Sequence, residues 1–284
     1  MGRRLTLPDP AAAIGDLVAG WGAEHVTVAL HLPDRRRLVV GPPEHVYALA
    51  SVTKLFTAVV TLVAVEEGAL ALADAAGPKG STIEHLLAHT SGLGFDGSEP
   101  LTTPGRRRIY SNAGYEVLAE AITVATGIDF ATYATEAVLQ PLGLDSTIIA
   151  GSPAAGWQAP ATDVLALLDQ IRRPTILAPE TLARATTVAF PGRAGVLPGI
   201  GRFDPLDWGL GFEVRDGKSP HWTGTANSPR TVGHFGGRGT FAWDDPDAEV
   251  SCVALTDREF GDWALQAWPV LSDLVLTNGT RRPT

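Results

Sequence analysis

The pattern of apolar and polar positions changes character several times along the chain. Residues 10–22 suit an amphipathic helix. His25 to Leu32 alternates in strand fashion, Pro33-Asp34 turns, and Arg36 to Val40 returns, which predicts a hairpin. Val46 to Val65 is different. It reads VYALASVTKLFTAVVTLVAV, apolar on every side, with Lys54 as its one charge. A helix that is apolar all round is buried, and this one ends near Glu66-Glu67-Gly68. Ser81-Thr82, with Glu84 close to the capping-box position, opens another helix that Thr90-Ser91-Gly92 stops. Asn112 to Thr126 and Phe130 to Leu139 read as two helices divided at Gly127, and Thr162 to Ile171 as a further one. Residues 185–230 are rich in Gly and Pro and show little periodicity. Trp208, Phe212 and Trp222 in that segment read as cover for the core rather than as pocket walls. Four short strands follow, at Gly209 to Arg215, Thr231 to His234, Gly239 to Asp244 and Glu249 to Thr256. The tail, Trp263 to Leu276, suits a helix interrupted at Pro269.

The order of these elements predicts the fold class. Strands at the start, helices in the middle, strands at the end and a last helix describe an α+β protein. The terminal strands form one antiparallel sheet flanked by terminal helices. Residues 1–45 and 172–284 make that discontinuous domain, and residues 46–171 form an inserted, mostly helical one. The cleft between them is the expected site.

With 284 residues, 45% of them hydrophobic, the chain can bury a sizeable core. A net charge of −9 and a pI of about 5.2 argue against nucleic acid or an anionic membrane as partner. Arg35-Arg36-Arg37 reads as a solvated hairpin turn and Arg106-Arg107-Arg108 as a loop. Cys252, the single cysteine, lies in the apolar run Val250 to Leu255 and reads as a buried strand thiol. The opening MGRRLTLPDP lacks an apolar run before Pro8, so a cytoplasmic protein without a membrane span is expected.

The chemistry starts at Ser51-Val52-Thr53-Lys54. On a helix, i and i+3 share a face, so the Ser51 hydroxyl and the Lys54 amine can meet. A buried lysine is costly to keep charged and needs a partner or a lowered pKa. A desolvated amine beside a hydroxyl is one way to make serine a nucleophile. The other two lysines are Lys79 and Lys218, and every further basic residue outside histidine is arginine. Arginine does not give up its proton, whereas lysine can. The plainer alternative is that Ser51 caps the helix while Lys54 snorkels to its edge. His85 and His89 stand at i, i+4, as on a zinc helix. Glu84 precedes the pair instead of lying inside it, and no third ligand follows, so no metal is expected.

Two later groups strengthen the pattern. Tyr110-Ser111-Asn112 follows Pro104-Gly105 and precedes a helix, and Gly233-His234-Phe235-Gly236-Gly237 lies between late strands. Ser-x-x-Lys, Tyr-x-Asn and His-x-Gly in this order resemble the serine β-lactamase-like and penicillin-binding-protein-like hydrolases. The likeness is to their class C-related branch, which includes esterases and D-amino-acid peptidases. Thr82-Ile83, Leu86-Leu87, His89-Thr90-Ser91-Gly92, Gln140-Pro141-Leu142-Gly143-Leu144 and Ala161-Thr162-Asp163 extend the resemblance from about Val46 to Asp257. The resemblance implies that Ser51 is the acylated nucleophile and Lys54 its base. Tyr110 would be a second proton shuttle, of use when nearby cations lower its pKa. Asn112 would touch Lys54 and the substrate carbonyl. Gly236 and Gly237 would edge the cleft, with the Ser51 and Gly237 N–H groups as the oxyanion hole. Taken singly, Tyr110 also reads as a core tyrosine, Asn112 as a helix N-cap and His234 as a hydrogen-bonded strand histidine.

Where many relatives have Lys-Thr-Gly, this chain has His234-Phe235-Gly236. The lysine and the hydroxyl that help hold a substrate carboxylate are therefore missing, and histidine is only partly charged near neutrality. The expected activity is that of a serine hydrolase, without cofactor, on a small ester or amide. A true β-lactamase is the first alternative. An acyltransferase or a non-turnover acyl or ligand sensor with the same fold is the second.

Overall fold

A computed structural model describes residues 9–33 and 35–279. Asp34 of the expected turn lies outside the described residues. Helix α1 (Pro10–Ala19), capped by the Asp9 side chain, leads into β1 (Val26–His31) and β2 (Arg37–Val40). A two-residue strand, β3 (Tyr47–Ala48), precedes a 3-10 turn at Ala50–Val52 and the buried helix α2 (Thr53–Glu66). The helical block continues with α3 (Ile83–Leu87), the short β4 (Arg108–Ile109) and α4 (Ala113–Thr126). Next come α5 (Phe130–Ala134), a π-turn at Thr135–Leu139 and α6 (Gln140–Leu142). Strand β5 (Gln158–Ala159), α7 (Ala161–Arg172) and α8 (Pro179–Ala185) complete it. The remaining strands are β6 (Gly195–Leu197), β7 (Gly201–Phe203), β8 (Glu213–Val214), β9 (Val232–Gly236), β10 (Thr240–Asp245) and β11 (Val250–Thr256). Helix α9 (Asp262–Gly279) closes the described chain.

The main sheet has the order β2-β1-β11-β10-β9-β8 and is antiparallel throughout. Register determines which residues reach the site. Ala29 faces Val253, Val253 faces Ala242, and Ala242 faces His234 across successive strands. Side chains alternate between faces along a strand, so this row lies on one face, and its apolar members pack with α2, α4 and α7. The neighbouring row, Val28, Ala254, Phe241 and Phe235, packs with Trp268 and Leu271 of α9 and Ile14 of α1. His234 is thereby turned toward the helical block and Phe235 away from it.

Several details depart from the sequence reading. Strand β8 is only Glu213–Val214, because the backbone before it bonds elsewhere. Leu210 N–H donates to Ala185 O at 2.8 Å and Gly211 N–H to Leu87 O at 3.1 Å, both in the helical block. Helix α9 runs through Pro269 without a break, held by buried Trp268 and Leu271. The Gly/Pro-rich stretch contains β6 and β7, elements too short to leave a periodic signature. Trp208, Phe212 and Trp222 are buried, as expected of core cover, and so is Cys252. Among the described residues no single helix is long and apolar enough to cross a membrane.

Arg35, Arg36 and Arg37 are exposed, as expected of a solvated turn, whereas the second arginine run has one buried member. Arg37 donates to His31 and pairs with Asp169 at 2.8 Å. Arg108 is 1% exposed. Its guanidinium donates to Leu206 O at 2.6 Å, Ala189 O at 2.6 Å, Phe190 O at 3.2 Å and Ala88 O. Burial lowers its pKa to about 10, and it acts as a knot between loops, not as a substrate contact.

Candidate active site

Ser51 sits in the 3-10 turn that opens α2, half-buried, with its neighbours under tension. Ala50 has φ 47°, a left-handed conformation uncommon for a residue with a Cβ. The turn is held from both sides. Leu49 N–H donates to Trp157 O at 2.9 Å, and Leu49 O accepts from Thr240 Oγ1 at 2.7 Å. Close approach to β9 needs Gly236, where a Cβ would lie 2.4 Å from Leu49 O.

Lys54 is fully buried one helical turn below. Its Nζ lies 2.6 Å from Asn112 Oδ1, 3.0 Å from Ala154 O and 3.5 Å from Ser51 Oγ. It also lies 4.7 Å from the Tyr110 ring centre and 5.4 Å from that of Tyr115. Burial lowers its pKa from 10.5 to about 7, partly offset by Asp96 and Glu116. The Asn112 amide is oriented by Asp96, whose Oδ1 accepts from Nδ2 at 3.3 Å, so Oδ1 faces the amine. The N-cap duty expected of Asn112 falls instead to Ser111, whose Oγ accepts from Gly114 N–H at 3.0 Å. The Asn112 side chain is thus released to reach Lys54.

Tyr110 is buried at the end of β4, and its hydroxyl lies 3.4 Å from His234 Nε2. The expected lowering of its pKa does not occur. Burial and nearby Glu213 raise it, against a hydrogen bond with Ser51 that lowers it. The residue is a neutral phenol at rest. His234 Nδ1 lies 2.7 Å from Phe235 O, which can only accept, so Nδ1 carries the proton and Nε2 is left to accept from Tyr110. Burial and Lys54 lower the His234 pKa to about 3, so the ring is neutral at physiological pH rather than partly charged.

Ser51, Tyr110, His234 and Gly237 line one cavity of about 190 Å³ with Phe95, Leu197, Pro198, Gly199, Phe235 and Phe260. Its walls are mostly apolar and carry no charged side chain. Gly237 borders open space, since a Cβ there would meet nothing within 4 Å. Larger clefts exist, and one of about 640 Å³ lies at the β8 edge of the sheet away from Ser51.

All seven residues singled out in the sequence therefore gather at one place. His85 and His89 do not form a metal pair. His85 Nδ1 meets Thr82 Oγ1 at 2.8 Å, and His89 Nδ1 accepts from Ser111 N–H at 3.2 Å. His89 packs between Tyr110, Tyr115 and Trp208 as part of the wall behind the site. Glu24, His25 and Asp257 offer converging ligand atoms at the surface. The Asp257 carboxylate already accepts both backbone N–H groups of Glu24 and His25. Sequence reasoning missed Ala154, which acts through its carbonyl and so leaves no side-chain signal. It missed Ala50 for the same reason, because its contribution is a backbone angle.

A nucleophile candidate, a lysine of lowered pKa and a tyrosine around one cleft now stand beside a family match. Residues 13–275 match the Beta-lactamase family. The chain belongs to that family. This β-lactamase-family protein is similar to a crystal structure described as a β-lactamase of Mycobacterium bovis, at 48% identity and TM-score 0.91, over 94% of this chain and 100% of that one. It shares the fold of EstCE1, described as a hydrolase with promiscuous acyltransferase activity, at 19% identity and TM-score 0.74, over 94% and 97% of the two chains. Penicillin-binding protein 4* of Bacillus subtilis is 29% identical over 36% of this chain, and the match spans 30% of that protein's length.

Proposed function

We propose that this protein hydrolyses an ester or amide with a small, uncharged acyl group through an acyl-enzyme on Ser51. The arrangement around Lys54 Nζ carries the reading. A neutral amine has two N–H bonds and one lone pair. Asn112 Oδ1 and Ala154 O are acceptors that take both hydrogens. The lone pair is then left for the Ser51 hydroxyl, 3.5 Å away, a distance that closes on substrate binding.

In acylation Ser51 Oγ attacks the carbonyl carbon while its proton passes to Lys54 Nζ. The Ser51 and Gly237 N–H groups face the developing oxyanion. Collapse of the tetrahedral intermediate breaks the bond to the leaving group, which takes the Tyr110 phenol proton. The new Lys54 ammonium, beside the Tyr110 ring, stabilises the phenolate until the proton is returned from Nζ. Water then repeats the sequence in reverse and frees the acid and Ser51. Another nucleophile in place of water makes the same site an acyltransferase, the side activity named for EstCE1.

The substrate preference follows from His234. A neutral ring and the apolar walls Leu197, Pro198, Phe235 and Phe260 put no charged side chain in the cavity lining to hold a carboxylate. The cavity of about 190 Å³ suits a short acyl group. A β-lactamase is the second reading, favoured by the 48% identity to the Mycobacterium bovis structure.

The test is a paired assay of p-nitrophenyl acetate, butyrate and octanoate against nitrocefin. Expected are steady ester turnover, falling from butyrate to octanoate, and a kcat/KM for nitrocefin lower by about a hundredfold or more. Ser51→Ala should remove both. Nitrocefin turnover above that of every ester would establish the second reading instead.

A further inference from the structure

The Ser51 cavity does not end at Phe95. A second cleft of about 490 Å³ shares Phe95, Tyr110 and Pro198 with it as walls. Exposed large hydrophobic residues concentrate here. Phe95 is 50% exposed, Leu101 71% and Val196 57%. Apolar side chains left in water this close to a reactive centre are the mark of a binding surface.

The small sheet β4-β6-β7 forms the floor. In its register Ile109 faces Val196 and Val196 faces Arg202. Arg107 lies in the bend just before β4. All four line the cleft. The result is an apolar strip with an exposed guanidinium at either side. Neither Arg107 nor Arg202 makes an ion pair among the described residues. No carboxylate belongs to the lining, although Asp96, Glu99 and Asp204 are near in sequence. Arg108, between them in sequence, is turned inward and committed to carbonyls, so the two outer arginines have no structural duty to share with it.

We propose that this second cleft holds an apolar chain ending in an anionic group, carboxylate or phosphate, paired with Arg107 and Arg202. The inference rests on the hydrolase reading for its placement in the reaction. Tyr110, which gives its proton to the departing atom, walls both cavities, so the second cleft lies on the leaving-group side. The preferred substrate is then an ester or amide with a short acyl group and a long, apolar, anion-tipped alcohol, thiol or amine. This is compatible with the neutral wall beside Ser51, because the anion lies at the far end of the leaving group and not on the acyl side.

The test separates binding from turnover. Wild type is titrated by calorimetry with octanoate, octyl phosphate and octan-1-ol, none of which is an acyl donor to Ser51. The same samples are assayed for p-nitrophenyl butyrate hydrolysis. Expected is at least tenfold tighter binding of one or both anions than of octan-1-ol. The better anion tells carboxylate from phosphate recognition. Arg107→Gln with Arg202→Gln should remove that preference while leaving p-nitrophenyl butyrate turnover within about twofold of wild type. Equal binding of all three ligands, or a preference that survives in the double variant, overturns the proposal. Self-association abolished by Val196→Asp also overturns it, by assigning the strip to a second copy of the chain. Anion preference without ester turnover supports the binding site while the hydrolase reading fails. Turnover without preference does the reverse.

Discussion

At the scale of residues, the proposed chemistry depends on Lys54, whose pKa burial lowers while its Nζ stays hydrogen-bonded. A lysine with a pKa near 7 is half-deprotonated at neutral pH, which is where a general base works best. The sign of the pH dependence follows. In the proposed mechanism the neutral amine is the active form, so kcat/KM should rise with pH through about 7 and then level. Asn112→Asp places a carboxylate where Oδ1 now lies 2.6 Å from Nζ. A charge that close raises a lysine pKa by roughly 1–3 units. The rising limb should therefore move to higher pH, and activity at pH 7 should drop about tenfold or more. A profile that stays in place would remove Lys54 as the titrating base. Tyr110 shows the limit of reading residue types alone. Its position was legible from Tyr-x-Asn, but its ionisation was not, because burial and Glu213 raise a pKa that nearby cations were expected to lower.

At the scale of elements, β9 and the turn before α2 are fitted to each other. The point of contact is Gly236, with no room for a Cβ against Leu49 O. Gly236→Ala must push the Ala50–Val52 turn away from the sheet. Overpacking of this kind costs about 1–3 kcal/mol. Because the displaced turn carries Ser51, activity should fall by a hundredfold or more. Urea denaturation and ester kinetics on one sample would show both effects; intact activity would mean that the turn is not fixed by β9. Much at this scale could be read from the chain. The buried helix, the terminal hairpin and strands, and the three motifs appear where hydrophobic pattern and spacing put them. The exceptions are short or held from outside. Strands β6 and β7 contain three residues each, too few for alternation to show. Leu210 and Gly211 read as strand but bond to the helical block, a tertiary choice with no local signal. Pro269 breaks the expected pattern but not the helix, since packing of Trp268 and Leu271 outweighs one lost backbone bond.

At the scale of the whole molecule, the cleft lies where the helical block meets one face of a six-stranded antiparallel sheet. Buried polar groups hold the approach to it. Arg108 ties the carbonyls of Ala88, Ala189, Phe190 and Leu206, and so joins the segment before His89 to the Gly/Pro-rich stretch. An unmet buried acceptor costs about 1–3 kcal/mol. Arg108→Met, which leaves these carbonyls without a donor, should destabilise the protein by about 3 kcal/mol or more, measured as a lower denaturation midpoint at unchanged slope. A cost below about 1 kcal/mol would show that water replaces the guanidinium. The sequence placed Arg108 in a loop because charge and spacing alone do not reveal what a buried cation touches.

The central claim is that Ser51 becomes acylated and that Lys54 makes it reactive. The most direct measurement is intact mass, followed by peptide mapping, after millisecond mixing with p-nitrophenyl butyrate. Wild type should show a butyryl increment on the peptide containing Ser51. Ser51→Ala should show none. Lys54→Arg, which keeps the charge but cannot serve as base, should acylate slower by a factor of about a hundred to ten thousand. An adduct on another residue, undiminished turnover in Ser51→Ala, or wild-type acylation rates in Lys54→Arg would contradict it.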